Sequence, residues 1–121
     1  MGQLNGSEIL AKALKREGVE ELFFLMGGPM LTAEAATIQE GIRCIDVRHE
    51  QAAAMMAQAY SRLRQKPGFC MAASGPATIN LSTGLANALI DCCPVVALGG
   101  ASPMLGNGKQ VFQEIDQMEI M

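Results

Sequence analysis

The segment Phe69-Cys-Met-Ala-Ala-Ser-Gly-Pro-Ala-Thr-Ile-Asn80 decides the fold, because it passes from an apolar run through a tight turn into a helix. Its first residues, 69–73, predict a buried strand, and Ser74-Gly-Pro-Ala77 predicts a tight loop. A helix is predicted to follow over about residues 78–90. A strand that leads into a helix in this way is typical of the crossover connections that join parallel strands.

The same alternation of strand and helix extends in both directions from this segment. The other predicted strands span residues 21–25, 42–47 and 94–98, and the other predicted helices begin at the capping box Asn5-Gly-Ser-Glu8 and span about 31–40 and 52–63. The strands are continuous apolar runs, which is typical of a sheet covered on both faces. The sequence therefore predicts an α/β fold, with an open, mostly parallel sheet and helices on both faces. The tail, residues 111–121, is too short to assign.

Length and composition limit the classes of function. With 121 residues the chain fits one domain, and because half of its residues are apolar it can form a core of modest size. A net charge of -3 argues against nucleic acid as a partner. The chain has no apolar run of membrane-spanning length, and residues 1–6 lack the layout of a signal peptide. We expect a soluble, cytoplasmic protein without a membrane partner.

Cysteine and histidine content argues against a metal site. The cysteines are Cys44, Cys70, Cys92 and Cys93, and the only histidine is His49. No C-x-x-C pair occurs, and two adjacent cysteines are poorly placed for a disulfide framework. We expect buried, reduced thiols that act as small apolar side chains, and no metal ligands.

Polar or glycine-rich segments follow the predicted strand ends, at residues 26–28, 48–50, 74–80 and 99–113. In open parallel sheets, binding sites form at the carboxyl ends of the strands. These segments are therefore expected to meet at one edge of the sheet.

Two of these segments have both a functional and a structural interpretation. Glu50 is a carboxylate in the first turn of a helix, which the helix dipole favours, and its spacing alone favours a purely structural role with His49 as a surface or interface residue. Ser74-Gly-Pro-Ala-Thr-Ile-Asn80 can form an anion cradle or simply allow close packing of helix on strand. It matches no P-loop, G-x-G-x-x-G or G-x-S-x-G motif.

Taken together, the motifs resemble a known family. Arg48-His-Glu-Gln-Ala-Ala53, followed by Ser74-Gly-Pro-Ala-Thr-Ile-Asn-Leu-Ser-Thr-Gly-Leu-Ala-Asn-Ala88, is similar to the thiamine-diphosphate-dependent enzymes of the acetolactate synthase group. Asn5-Gly-Ser-Glu-Ile-Leu10 and Val111-Phe-Gln-Glu114 are also similar, so the resemblance covers nearly the whole chain in order. It implies that residues 1–121 are an N-terminal aminopyrimidine-binding (PYR) domain, truncated at its C-terminus.

The resemblance also implies residue roles. Glu50 matches the catalytic acid that hydrogen-bonds the ring nitrogen of the aminopyrimidine, a form of acid–base catalysis relayed through the cofactor. Gln113 matches a second catalytic and cofactor-contacting residue, which orients a substrate oxygen or a water. The other implied cofactor-binding residues are Gly27, Pro76 and Asn80, and the implied substrate-contacting residues are Gly28 and Phe112.

The implied cofactor is thiamine diphosphate with Mg²⁺. In the family, the diphosphate and the metal bind a separate domain with a Gly-Asp-Gly motif, and no such motif occurs in this sequence. The expected partners are therefore that domain, in trans or from a second subunit of a homodimer or larger oligomer, and a 2-oxo acid or acyl-CoA substrate. The 121 residues alone are expected to be inactive.

Several functions remain open. An acetolactate synthase-like enzyme that makes or breaks carbon–carbon bonds of 2-oxo acids is the leading hypothesis. Glu114-Ile-Asp-Gln-Met118 also resembles the oxalyl-CoA decarboxylase and 2-hydroxyacyl-CoA lyase branch. The third hypothesis is a non-catalytic binding or assembly module. It is favoured by the segment Phe23-Phe-Leu-Met-Gly-Gly28, which departs from the family's Phe-Gly-x-Pro-Gly-Gly turn. A fourth hypothesis, that the chain is a nucleotide-binding domain, is supported by fold analogy alone.

Overall fold

A computed structural model describes residues 3–121. Within them the elements, in chain order, are α1 (Gly6–Arg16), β1 (Glu21–Phe24), α2 (Leu31–Gln39), β2 (Arg43–Asp46), α3 (Glu50–Arg64), β3 (Gly68–Ser74), α4 (Pro76–Ile79), α5 (Ser82–Ile90) and β4 (Val95–Gly100). Two 3₁₀ turns, Gly28–Met30 and Met104–Gly106, follow β1 and β4. The predicted α/β class is confirmed.

The four strands form one parallel sheet in the order β2-β1-β3-β4. β1 therefore lies between β2 and β3, and β4 pairs only with β3 within the described part of the chain. Because all strands run the same way, Phe24, Asp46, Ser74 and Gly100 end at one side of the sheet, which we call the carboxyl edge.

Helices cover both faces of the sheet, as predicted. Leu22 and Phe24 of β1 face α1 and α2, whereas Phe23 between them faces α3 and the α4–α5 segment. The buried residues of the first face are Leu14, Val19, Leu22, Phe24, Ala33, Ile42 and Met71. Those of the second are Phe23, Val47, Ala53, Ala54, Ala57, Cys70, Ala72, Ala73, Ala77 and Leu81. The second face is rich in alanine, which lets its helices lie close to the sheet and to each other.

Two helix predictions are confirmed in kind but wrong in their bounds. The helix expected over residues 78–90 is broken into α4 and α5, because the Leu81 amide bonds to Thr78 O at 3.0 Å and tightens the turn. Leu81 is thereby buried in the core. The third helix begins at Glu50 rather than 52, because His49 Nδ1 accepts from the Gln51 amide at 3.2 Å and caps it. His49 thus has the structural role that the spacing favoured.

The cysteine prediction is confirmed only in part. All four thiols are free, and Cys70 is fully buried, which raises its pKa to about 12. Cys92, however, is exposed, because it lies in the turn after α5 with a φ of 51° rather than inside a strand. None of the helices within residues 3–121 has the length and apolar character needed to cross a bilayer.

Candidate functional site

Glu50 is the first residue of α3, and it is buried at the carboxyl edge with 8 % of its surface exposed. Its Oε2 accepts a hydrogen bond of 2.9 Å from Asn80 Nδ2. Its Oε1 has no hydrogen-bond partner within residues 3–121, yet that atom is not sealed off from the surface. A carboxylate at this position is also favoured by the free amides of the first helical turn. The side chain therefore offers one oriented, available oxygen.

The turn between β3 and α5 places the Asn80 side chain within hydrogen-bond distance of Glu50. The Asn80 amide bonds to Pro76 O at 2.9 Å, and Thr78 Oγ1 bonds back to Ala73 O at 2.6 Å. These bonds hold the turn against the end of β3 and leave the Asn80 side chain free to reach Glu50. Pro76 and Asn80 are exposed while Glu50 beneath them is buried, so the three residues border an opening to solvent.

The other half of the site is formed by the tail that follows β4. The Gln113 carbonyl lies against Gly75, where an added Cβ would stand 2.1 Å from the Gln113 oxygen. Gly75 also has a φ of 61°, a conformation that favours glycine. The side chain of Gln117 fastens this contact, because its Oε1 accepts from the Gly75 amide at 2.8 Å and its Nε2 donates to Gly100 O at 2.7 Å.

A cavity of about 730 Å³ lies between this tail and the ends of β3 and β4, and Ser74, Gln113 and Gln117 are among its lining residues. Ser74 is almost fully buried, and its Oγ has no hydrogen-bond partner within the described residues. Glu50, Pro76 and Asn80 do not line this cavity. The catalytic candidates Glu50 and Gln113 therefore do not share this cavity; they are linked through the turn of residues 75–80, where Gln113 lies against Gly75 and Glu50 bonds to Asn80.

The remaining predicted site residues differ in their placement. Gly27 follows β1 and packs against Ala73, where a Cβ would approach the Ala73 Cβ to 2.4 Å. Gly28 begins the first 3₁₀ turn with open space around it. The Phe112 side chain is 86 % exposed and is not among the residues that line the cavity beside Gln113.

Four residues near the carboxyl edge were missed by the sequence analysis. Gln117 and Glu114 belong to segments that carried the family resemblance but were given no role of their own, and Ser74 was noted only as part of a turn. Glu34 of α2 was not considered; its carboxyl is buried, neither oxygen makes a hydrogen bond of normal geometry within residues 3–121, and burial raises its pKa although the Gly27 amide partly opposes that shift. No group of three His, Cys, Asp or Glu side chains in the described ranges could hold a metal ion.

Comparison with known proteins identifies close relatives. Residues 4–120 match the family model described as thiamine pyrophosphate enzyme, N-terminal TPP binding domain. The chain is 42% identical over 116 residues to the chloroplastic acetolactate synthase of Arabidopsis thaliana, covering 95% of this chain and 17% of that protein. It is 42% identical over 113 residues to the large subunit of acetolactate synthase isozyme 2 of Escherichia coli (93% and 21%). It is 38% identical over 117 residues to human 2-hydroxyacyl-CoA lyase 1 (97% and 20%). The chain thus spans about a fifth of the length of these relatives.

Proposed function

The chain belongs to the thiamine pyrophosphate enzymes, as their N-terminal TPP-binding domain, and from this we propose that Glu50 is the acid that binds and activates the aminopyrimidine ring of the cofactor. Thiamine pyrophosphate, also called thiamine diphosphate, supplies a nucleophilic carbon to such enzymes when it is bound. The observation that carries the proposal is the burial of Glu50 at the carboxyl edge with one carboxyl oxygen bonded to Asn80 and the other available.

The chemistry of the donor set fits a pyrimidine ring. A ring nitrogen needs a carboxyl oxygen that is free to form a hydrogen bond with it, and Glu50 Oε1 belongs to a buried side chain and has no partner within residues 3–121. The bond from Asn80 Nδ2 fixes the plane of the carboxyl and prevents both oxygens from turning towards bulk water. Pro76 and Gly27 border the same edge without introducing a competing charge. On the other side of the Gly75 turn, Gln113 orients a substrate oxygen or a water.

We assign the whole reaction to the making or breaking of carbon–carbon bonds of 2-oxo acids, as in an acetolactate synthase-like transferase. The identity to two acetolactate synthases supports this assignment. A lyase acting on acyl-CoA compounds is the second candidate, and the 38% identity to a 2-hydroxyacyl-CoA lyase favours it. Comparing turnover of pyruvate with turnover of a 2-hydroxyacyl-CoA in the complete enzyme separates the two.

The proposal includes partners. The diphosphate and its Mg²⁺ are assigned to a second domain, supplied by the same polypeptide, another chain or a second subunit of a homo-oligomer in the cytoplasm. The exposed Met55 and Met56 of α3 and the exposed Leu89 and Ile90 of α5 provide an apolar surface for such an assembly.

The substitution Glu50→Gln tests the assignment in the complete enzyme, assembled with its diphosphate-binding domain. It keeps the shape of the side chain and removes the titrating proton. We expect the rate to fall roughly 100- to 10,000-fold, the range for loss of a general acid–base group. The matched control is Glu8→Gln in the first turn of α1, where a glutamine preserves the capping box. Unchanged turnover and cofactor affinity in Glu50→Gln would contradict the proposal and favour a non-catalytic module.

A further inference from the structure

Gln117 makes an unusual pair of contacts for a residue outside any helix or strand. Its carboxamide bridges two neighbouring strand ends, accepting from the Gly75 amide at 2.8 Å and donating to Gly100 O at 2.7 Å. Ser74 and Gly100 are paired in the sheet just after an irregularity in the register, so the Gly75 amide and the Gly100 carbonyl lie at neighbouring strand ends. The Gly75 amide and the Gly100 carbonyl thus form a donor and an acceptor that the single carboxamide of Gln117 can bond at the same time.

These two bonds dock the tail onto the carboxyl edge. Within residues 3–121, no other hydrogen bond joins the segment from Met104 onwards to the residues up to Gly100. Gln113 lies four positions earlier and presses its carbonyl on the same Gly75. The segment between Gln113 and Gln117 is therefore held on the turn that leads through Pro76 to Asn80 and Glu50.

Glu114, in the same segment, makes hydrogen bonds within the loop rather than to the sheet. Its carboxylate accepts from the amides of Gly108 and Val111, the latter at 3.1 Å, and these backbone bonds lower its pKa. The bonds close the loop on itself but reach no strand. Glu114 therefore sets the internal shape of the loop, and the hydrogen bonds that fasten it to the sheet belong to Gln117.

We propose that Gln117 is a positioning residue that holds Gln113 at the cofactor site. The inference rests on the proposed function, because it requires Gln113 to act on a substrate oxygen or a water. Gln117 does not touch the reacting atoms; it fixes where the Gln113 backbone lies relative to the Gly75 turn.

A carboxamide suits this task because it carries an acceptor and a donor without a charge. A carboxylate in its place keeps the bond from the Gly75 amide but sets an anionic oxygen against Gly100 O. A protonated carboxyl restores the donor. The Gln117→Glu variant should therefore recover activity, relative to the wild type, as the pH falls through the pKa of the introduced carboxyl. A residue needed only to fill space would give no such profile.

The test uses the complete enzyme, assembled with its diphosphate-binding domain. In Gln117→Ala we expect kcat to fall about 10- to 100-fold, the scale of a misplacement near 1 Å, while the Glu50–Asn80 pair and its share of thiamine diphosphate binding stay untouched. Glu119→Ala is the matched control, since that exposed side chain makes no hydrogen bond within the described residues. Its kcat should equal that of the wild type.

A double-mutant cycle decides between positioning and general support. If Gln117 acts through Gln113, its loss costs little once Gln113→Ala has been made, so the combined effect is far smaller than the product of the single effects. Multiplicative effects overturn the inference, as does a wild-type kcat in Gln117→Ala while Gln113→Ala is impaired. A silent Gln113→Ala removes the role proposed for Gln113 and this inference with it, whereas a silent Glu50→Gln contradicts the proposed function itself. Should Gln117→Ala fail to fold, the pH profile of Gln117→Glu decides alone.

Discussion

The two halves of the candidate site are built in different ways. Glu50 and Asn80 stand on a helix start and on a turn that is bonded to β3, above a core of buried alanines. Gln113 stands on a tail without regular structure, which is docked through the side chain of Gln117. The position of Glu50 and Asn80 is fixed by the sheet and its packed helices, whereas the position of Gln113 depends on a few contacts. The body of the domain should therefore resist local opening, and the tail should open at low cost.

Matched leucine substitutions sharpen this contrast most strongly. Leu22 lies in β1 with 0% of its surface exposed, and Leu105 lies in the tail with 88% exposed. Leu22→Ala should lower the free energy of unfolding by about 2–5 kcal/mol, because it leaves a cavity in a packed core. Leu105→Ala should change it by less than about 0.5 kcal/mol. Urea unfolding of the chain measures both changes in the free energy of unfolding. Equal losses in the two variants would contradict the distinction between a packed body and a loosely held tail.

Gly75 is the residue at which the tail contacts the body of the domain. A second matched pair of substitutions tests whether this contact holds the tail in place. Gly75 and Gly108 both have positive φ values, 61° and 76°, but only at Gly75 would a Cβ meet another residue, the Gln113 carbonyl at 2.1 Å. Alanine at Gly108 should cost about 1–2 kcal/mol in backbone strain. The cost at Gly75 should be at least as large, because its ψ of -120° lies outside the left-handed helical region.

Gly75→Ala should in addition displace the tail. Hydrogen exchange of amides in residues 111–118 is the measurement, and it should be faster in Gly75→Ala than in Gly108→Ala. Indistinguishable exchange in the two variants would mean that the Gly75 turn does not hold the tail.

The same contrast explains what could be predicted from the sequence. The strands, the sheet and the position of Glu50 follow from apolar runs and helix starts, which are local signals. The break between α4 and α5 could not be predicted, because no local pattern shows that the Leu81 amide bonds to Thr78 O and that Leu81 is thereby buried in the core. Docking of the tail depends on Gln117 meeting backbone groups of Gly75 and Gly100, and no local pattern encodes such a long-range fit.

Glu34 is the exception within the well-packed body, and it gives the smallest expected effect. The residue is only 3% exposed, and neither carboxyl oxygen makes a hydrogen bond of normal geometry within residues 3–121. Burial raises the pKa of this carboxyl above the ordinary 4.5; the Gly27 amide partly opposes that shift and the nearby Asp46 carboxylate adds to it. The folded state therefore holds the proton more tightly than the unfolded state does.

The sign of the pH dependence follows from this linkage. The contribution of Glu34 to stability is fully present below the unfolded pKa and is lost as the pH rises through the folded pKa. Glu34→Gln keeps a neutral side chain at every pH, so the variant should gain stability relative to the wild type as the pH rises above 4.5. The exposed Glu17→Gln is the control for removal of a surface carboxylate. Thermal unfolding across this range measures both differences, and parallel curves for Glu34→Gln and the wild type would show that the carboxyl gains a partner or water in solution.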